Sequence, residues 1–389
     1  MIYLDNNATT KIDEDVLDVM LPFLKEDYGN ASSLQHKMGR TSFQAIEKAR
    51  NSIAKYFGAS PKEIFFTSGA TESINLVLRG IFERYKSLGT HIITTQTEHK
   101  AVLTTLEKLT NKGADITYLS TDQNGNINLI DLENAIRNDT ILICLMHANN
   151  ETGVLHPIEE IAQIANKHQI IFFSDTTQAI GKIQFNYTSS GLDICCFSAH
   201  KIHGPKGIGG LFIRRKSRPI QIEPIISGGK QENGLRGGTY NTPAIVGMGK
   251  AFERLEDIYM HSIKDLRDYF ENRILSEIEE CCIHAKESNR LGNTSNFLIK
   301  HVKSAELMPK LKHIAVSSGS ACVSGDRDPS HVLLAMGIPE EDAHCSIRVS
   351  LSKYTTKSDL DNAIEDLKST ICSIRKDSPV WHLYKSNLL

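Results

Sequence analysis

From residue 13 to about 250, short apolar runs alternate with amphipathic helical stretches. "TSFQAIEKARNSIAKYFGAS" places Phe43, Ile46, Ile53 and Phe57 on one helical face and stops at Gly58. "KEIFFTS" predicts a short apolar strand, and "THIITTQ", "DITYLS", "TILICLMHA", "QIIFFSD", "LDICCFS" and "IGGLFIRR" predict further strands. Helical segments such as "IEEIAQIANKH" lie between several of them. This alternation argues for an α/β fold, a mostly parallel sheet covered by helices. In such sheets ligands bind beyond the carboxyl ends of the strands. Polar residues that directly follow apolar strands are therefore the candidate site.

After about residue 250 the texture changes. "AIVGMGKAFERLEDIYMHSIKDLRDYFENRILSEIEE" reads as a long amphipathic helix. "SNFLIK", a Gly/Ser-rich stretch, "SIRVSLS" and the helical "KSDLDNAIEDLKSTICSIRK" follow. The mix predicts a smaller α+β domain. A chain of 389 residues also exceeds the ~250–300 at which a single core stops growing. The expected division is a large domain over 12–258 and a small domain built from 1–11 and 259–389.

Composition narrows the function classes. Hydrophobic residues make up 40% and charged residues 23%, an ordinary globular mix. A formal net charge of −2 supplies no field that would favour nucleic acid or an anionic membrane. "MIYLDNNATT" lacks the basic stretch and apolar region of a secretory signal, and apolar runs such as "ILICLMHA" are too short to span a bilayer. The eight cysteines (Cys144, Cys195, Cys196, Cys281, Cys282, Cys322, Cys345 and Cys372) mostly sit in apolar contexts, and none forms a CxxC pair with zinc spacing. A reduced, cytoplasmic protein without a metal site is the simplest expectation.

Several strand ends carry chemistry. In "FFTSGATES" an apolar strand meets a helix start, where backbone N–H groups and the Thr71 hydroxyl suit a phosphate, although plain helix capping explains the same residues. In "FFSDTTQAIG", Asp175 ends a strand, as a turn-capping residue or as the counter-charge to a protonated heterocycle. "FSAHKIHGPKG" brings Lys201 to a strand end, where a desolvated amine can form a Schiff base; alternatively it is a surface lysine. "HANNETG" and "TEHKAV" place Asn149, Asn150, Glu151 and His99 after two further strands. Together these supply a phosphate cup, an acid for a ring nitrogen, a Schiff-base lysine, amides for a phenolic oxygen and an aromatic ring for stacking. Those are the requirements of pyridoxal 5′-phosphate.

Seven motifs in order, "TSGATESIN", "TEHKAV", "NNETG", "SDTTQAIGK", "SAHKIHGPKGIG", "SSGSAC" and "SIRVSL", carry a resemblance to the cysteine desulfurases of the IscS/NifS type, with the class V aminotransferase fold. It extends from "YLDNNATT" to "SPVWHLYK", nearly the whole chain. The resemblance implies that Lys201 carries the Schiff base, that His99 stacks on the pyridine and moves protons, and that Asp175 pairs with the ring nitrogen. Gln178 and Asn150 are expected near the phenolic oxygen, and Ala70, Thr71, Ser198 and His200 at the phosphate. Thr239, in "LRGGTYN", is expected to reach the phosphate of a neighbouring subunit, which implies a homodimer. Arg348 resembles the arginine that grips the substrate carboxylate, and Asn30 and His36 are expected at the entrance.

"SSGSACVSGDRDPSHVL" sets Cys322 among Gly and Ser without apolar periodicity, a loop signature. The resemblance makes Cys322 the persulfide-forming residue, in a loop of IscS/NifS rather than SufS length. It implies conversion of L-cysteine to L-alanine and sulfur delivery to acceptors such as an iron–sulfur scaffold or a tRNA-thiolation enzyme. Two departures are Ala31, where the family has proline, and Gly237, where serine is frequent and whose absence would loosen the inter-subunit loop. The stretch after "VWHLYK" is short beside the tail that helps IscS-type proteins dock a scaffold. Two rivals are a selenocysteine lyase or other β-lyase, which does not need Cys322, and a non-catalytic sulfur-relay subunit, which would not need Lys201, Asp175 and His99.

Overall fold

All seven apolar runs between residues 62 and 215 form strands of one sheet. The computed structural model describes residues 1–217, 219–257, 260–318 and 328–388. The chain begins with β1 (Ile2–Tyr3), α1 (Glu14–Lys25) and α2 (Lys37–Phe57). The large sheet and its helices follow as β2 (Ile64–Thr67), α3 (Ala70–Tyr85), β3 (His91–Thr95), α4 (Lys100–Thr110), β4 (Asp115–Leu119), α5 (Leu129–Asn134), β5 (Thr140–Cys144), α6 (Ile158–Lys167), β6 (Ile171–Asp175), β7 (Ile194–Ser198) and β8 (Gly209–Ile213). The remainder comprises α7 (Thr242–Glu253), α8 (Met260–Glu277), β9 (Cys281–Ile283), β10 (Thr294–Ile299), α9 (Ser304–Leu307), β11 (Ile314–Ala315), α10 (His331–Ala335), α11 (Glu340–His344), β12 (Ser346–Ser350), α12 (Lys357–Lys376) and α13 (Pro379–Lys385).

The strand order is β2-β8-β7-β6-β5-β3-β4. Neighbours are parallel from β7 through β4, and β8 runs antiparallel to both β7 and β2. Two reversals restore the direction of β2, so the carboxyl ends of β2, β3, β5, β6 and β7 share one edge. Alternate strand residues feed opposite faces, as the period of two requires. Ile93, Ile143, Phe172 and Cys195 enter one core with Ile53, Phe57 and Phe252, while Ile92, Leu142, Phe173 and Cys196 enter the other with Leu76 and Leu106. Both faces are covered, which explains the unbroken apolar runs.

A separate core holds Leu4, Phe270, Phe297, Ile347, Leu360 and Leu367. It packs against the antiparallel sheet β12-β10-β9 and includes the N-terminal segment, whose β1 pairs with β11. The expected long helix after residue 243 is instead two, α7 and α8, joined through a 3-10 turn at Arg254–Asp257. Each half serves a different core: α7 packs on α1 and α2, whereas α8 packs on α12. Gly247 and Gly249 let α7 approach closely, since a Cβ there would lie 2.6 Å from Met20 Sδ and 2.6 Å from Ala49 Cα, respectively. Helix α2 ends as expected at Gly58, with φ +64°, but Phe43 departs from the expected buried stripe and is 41% exposed.

Among the described residues, no helix is long and apolar enough to cross a membrane, and no group of His, Cys, Asp and Glu could hold a metal ion.

Candidate active site

The shared edge of the sheet opens into a cavity of about 530 Å³, within the ~300–1,000 Å³ typical of small-molecule sites. Its lining includes Ala70, Thr71, His99, Asn150, Asp175, Gln178, Ser198, His200, Lys201 and Arg348. The structure thus brings together ten residues singled out from the sequence.

The exit of β2 forms the cup. Gly69 caps α3 with φ +155° and ψ 178°, a conformation open to glycine. Gly209 of β8 packs on it, since a Cβ there would lie 2.7 Å from Gly69 Cα. A larger residue at Gly209 would block the close approach of the helix start to the end of β7, and one at Gly69 would be strained by its φ. The first N–H groups of α3 have no intrahelical acceptor, so the helix start presents donors and a partial positive charge to an anion. Ser198 and His200 complete the rim. Burial, aided by Lys201, Lys206 and Lys182, lowers the His200 pKa to about 4, so its ring is neutral; Nδ1 lies 3.1 Å from Thr9 Oγ1.

Asp175 ends β6 and is buried. Its Oδ1 accepts from Thr177 N–H at 2.9 Å and from Cys196 Sγ at 3.5 Å. Among the described residues, no donor binds Oδ2 and no cation lies within ion-pair distance. A buried carboxylate with one open oxygen needs a partner, and a ring N–H supplies one. The Lys201 amine, in the 3-10 turn after β7, donates to the carbonyls of Asn7 and, at 2.7 Å, of Ala8. His99 caps α4, and its Nδ1 accepts from Ala101 N–H at 3.1 Å, which leaves the proton of the neutral ring on Nε2. Burial lowers the His99 pKa, with opposing contributions from Asp175 and Lys201.

Arg348, on β12, is buried with its guanidinium already engaged. One nitrogen pairs with Asp5 Oδ1 at 2.6 Å and another donates to the Asn150 carbonyl at 2.9 Å. Its Nε has no partner among the described residues. Asn30 and His36 do not line the cavity. Both are exposed, and their side chains accept from Ser32 N–H and Gly39 N–H in local turn and capping roles. Thr239 is also exposed and outside the cavity. Its loop is braced by the buried Arg50–Glu232 ion pair, with Glu232 also accepting Phe66 N–H at 2.7 Å, and by Arg236 on Glu72. Gly237 does not loosen this loop: a Cβ there would lie 2.9 Å from Gly228 N, so glycine permits a tight backbone approach. Cys322 lies outside the described residues.

The sequence reading missed three residues. Asn7 is buried, and its N–H, side-chain amide and carbonyl all have partners, drawn from residues 150–201 and from residues 293–350. Lys182 donates to Asn7 and Gln178. Both stand inside quoted motifs, "YLDNNATT" and "SDTTQAIGK", but residue type alone gave them no role. The third, Glu98, is fully buried, with Oε1 accepting Met146 N–H at 2.7 Å while Oε2 has no partner among the described residues.

Burial raises the Glu98 pKa to about 8, so the carboxyl is protonated near neutrality. The folded state then holds a proton that the unfolded chain, with a carboxyl pKa near ~4.3, has lost. This contribution to stability is present in full below the unfolded pKa and declines as pH rises towards 8, at up to about 1.4 kcal/mol per pH unit. Glu98→Gln, which keeps the acceptor oxygen, should remove this slope. Chemical denaturation of both proteins between pH 5 and pH 8 checks it, and parallel pH profiles would show that Glu98 does not titrate in this way.

The site fits pyridoxal 5′-phosphate: an amide-rich cup, one open carboxylate oxygen and an amine face one cavity. A family model for class-V aminotransferases matches residues 2–363. The chain is similar to the protein named cysteine desulfurase IscS of Histophilus somni (strain 2336), 42% identical over 392 residues, covering 100% of this chain and 96% of that one. It is also similar to the one of that name from Pasteurella multocida (strain Pm70), 43% identical over 392 residues with the same coverage, 100% and 96%. Among solved structures, a NifS-like protein superposes with TM-score 0.88 at 38% identity, covering 95% of this chain and 99% of its own. A structure titled SspA in complex with cysteine gives TM-score 0.82 at 36% identity, covering 92% and 100%.

Proposed function

The chain belongs to the class-V aminotransferase family and is a pyridoxal 5′-phosphate-dependent cysteine desulfurase, and from that premise we propose how its residues divide the reaction. The observation that carries the reading is the convergence of Lys201, the open oxygen of Asp175 and the start of α3 on one cavity. Bound there, the cofactor supplies an electron-withdrawing ring that stabilises negative charge at the substrate α-carbon. The start of α3, with Thr71, Ser198 and His200, holds its phosphate. Asp175 would keep its ring nitrogen protonated, His99 would stack on the ring, and Gln178 and Asn150 would serve its phenolic oxygen.

Lys201 takes the α-proton of L-cysteine and returns protons to the product. Arg348 binds the substrate carboxylate, with Asp5 holding the guanidinium in place. The Cys322 thiolate attacks the substrate Sγ. The Cβ–Sγ bond breaks, its electron pair stays with carbon, and protonation gives L-alanine, while the sulfur remains on Cys322 as a persulfide. Asn30 and His36 shape the entrance to the assembled site.

The reading extends to the assembly. The two cores belong to two domains, 12–258 and 1–11 with 259–389. The chain is a homodimer in which exposed Thr239, on a loop held by the Arg50–Glu232 and Arg236–Glu72 pairs, reaches the partner's phosphate. Sulfur acceptors are an iron–sulfur scaffold or a tRNA-thiolation enzyme, and the protein works in the cytoplasm.

Asp175→Asn tests the site. The amide is nearly isosteric, so cofactor affinity through the phosphate should persist while kcat falls by about a thousandfold, the scale of lost charge stabilisation in other active sites. Turnover near the native rate would assign Asp175 a purely structural role.

A further inference from the structure

Asn7 holds two lysines at once. Its carbonyl accepts from Lys201, and its side-chain Oδ1 accepts from Lys182 at 3.0 Å. Lys182 also donates to Gln178 Oε1, and Gln178 Nε2 returns to the Asn7 carbonyl at 2.9 Å. The four residues form a closed network at the boundary of the main cavity. The orientation of each amide follows from donor and acceptor chemistry. Asn7 Nδ2 donates to the Asn150 carbonyl and to Thr294 Oγ1, so its oxygen must face Lys182. A backbone carbonyl only accepts, so the nitrogen end of Gln178 must face Asn7 and the oxygen end must face Lys182.

We propose that Lys182 is a positioning residue for the reaction: by donating to Gln178 and Asn7 together, it fixes the Gln178 amide with its N–H end towards the cavity and steadies the carbonyl on which the Lys201 amine rests. The inference builds on the cofactor assignment under Proposed function. One Gln178 N–H is used by Asn7, and the other has no protein partner among the described residues. That N–H is the group an anionic ring oxygen requires. A flipped amide would present a carbonyl oxygen to that anion instead, and Lys182 and the Asn7 carbonyl together oppose the flip.

The surroundings explain why a lysine can do this. It borders a recess of about 40 Å³ with Lys201, His203 and Lys353. The groups that face it are Lys201 and His200 from the turn after β7, His203 just beyond, Arg348 from β12 and Lys353 after it. The Arg348 charge is met by Asp5 and the Lys353 charge by Asp13, so neither acid is left for Lys182. Among the described residues, no carboxylate pairs with it. Burial lowers its pKa well below the usual lysine range, and Lys201 and Arg348 lower it further. With or without its extra proton, the amine carries the two N–H bonds that Gln178 and Asn7 need.

The test is the pH titration of the visible absorption band of the cofactor-loaded protein. A donor on the ring oxygen favours the deprotonated chromophore, so losing it raises the apparent pKa; losing a neighbouring positive charge acts in the same direction. Lys182→Met should raise that pKa by about one unit, a tenfold gain in proton affinity. Lys182→Arg, which can donate to both oxygens, should restore most of it. An unchanged pKa in a folded, loaded Lys182→Met protein overturns the proposal. Should that variant fail to fold, Gln178→Glu decides with Lys182 in place. Its carboxylate has only acceptors to turn to the cavity, so the pKa must rise, and a native value overturns the proposal. The pH dependence of the band, which belongs to the Schiff base, must also vanish in Lys201→Ala. If it persists there, the underlying site assignment fails; if it vanishes there while Lys182→Met titrates as native, only the role of Lys182 fails.

Discussion

Lys201→Ala is expected to give folded protein that lacks the Schiff-base absorption and shows no measurable conversion of L-cysteine. Two functions leave with one amine: the covalent tether to the cofactor and the base for the α-proton. Loss of a positioned acid–base group alone costs about 10²–10⁴ in rate, and loss of the tether adds to that. The fold should survive. Lys201 follows β7 in a short turn and contributes its amine to the carbonyls of Asn7 and Ala8, while the main core is built from strands and helices elsewhere. Phosphate contacts at the start of α3 should still retain some cofactor, as non-covalently bound aldehyde. Reduction with borohydride followed by peptide mapping should label Lys201 in the native protein and nothing in the variant. A variant that is yellow and fully active would remove Lys201 from the chemistry.

Cys322→Ser is expected to leave the absorption spectrum intact and abolish alanine formation. Serine nearly preserves size but replaces a soft thiolate with a hydroxyl, which is a poor nucleophile towards sulfur. No contact to the cofactor is assigned to this segment, so L-cysteine should still change the spectrum on mixing. Alanine release at the native rate would remove the thiol from the mechanism. Loss of activity on L-cysteine with native activity on selenocysteine would favour a lyase, in which elimination proceeds without a protein thiol.

The two experiments rest on residues of unequal legibility. The strands of the large sheet are visible in the sequence because helices cover both faces, leaving all but the edge strand β4 as buried, largely apolar runs. Asp175, Ser198 and Lys201 stand out for the same reason, as polar groups just past such a run. The break between α7 and α8 is invisible, because the amphipathic pattern continues while the core it faces changes. Phe43 fits the helical period of α2 yet is exposed, since period assigns a face but not its edges. Asn7 and Lys182 escape notice because an asparagine and a lysine gain a role only through partners far away in the chain, here Thr294 and Asn150 for Asn7 and Asn7 itself for Lys182. Glu98 escapes for the opposite reason: a glutamate before His99 looks exposed, and only its burial shows that it must be neutral.

The central claim is that sulfur leaves L-cysteine by way of Cys322. Its most direct test mixes the native, cofactor-loaded protein with L-cysteine in the absence of reductant, then quantifies alanine and maps the peptides by mass under non-reducing conditions. A rapid burst of one alanine per subunit is expected, with one extra sulfur atom on the peptide containing Cys322 and renewed turnover when a thiol is added. Steady alanine and sulfide release without a burst, with no added sulfur on that peptide, would contradict it.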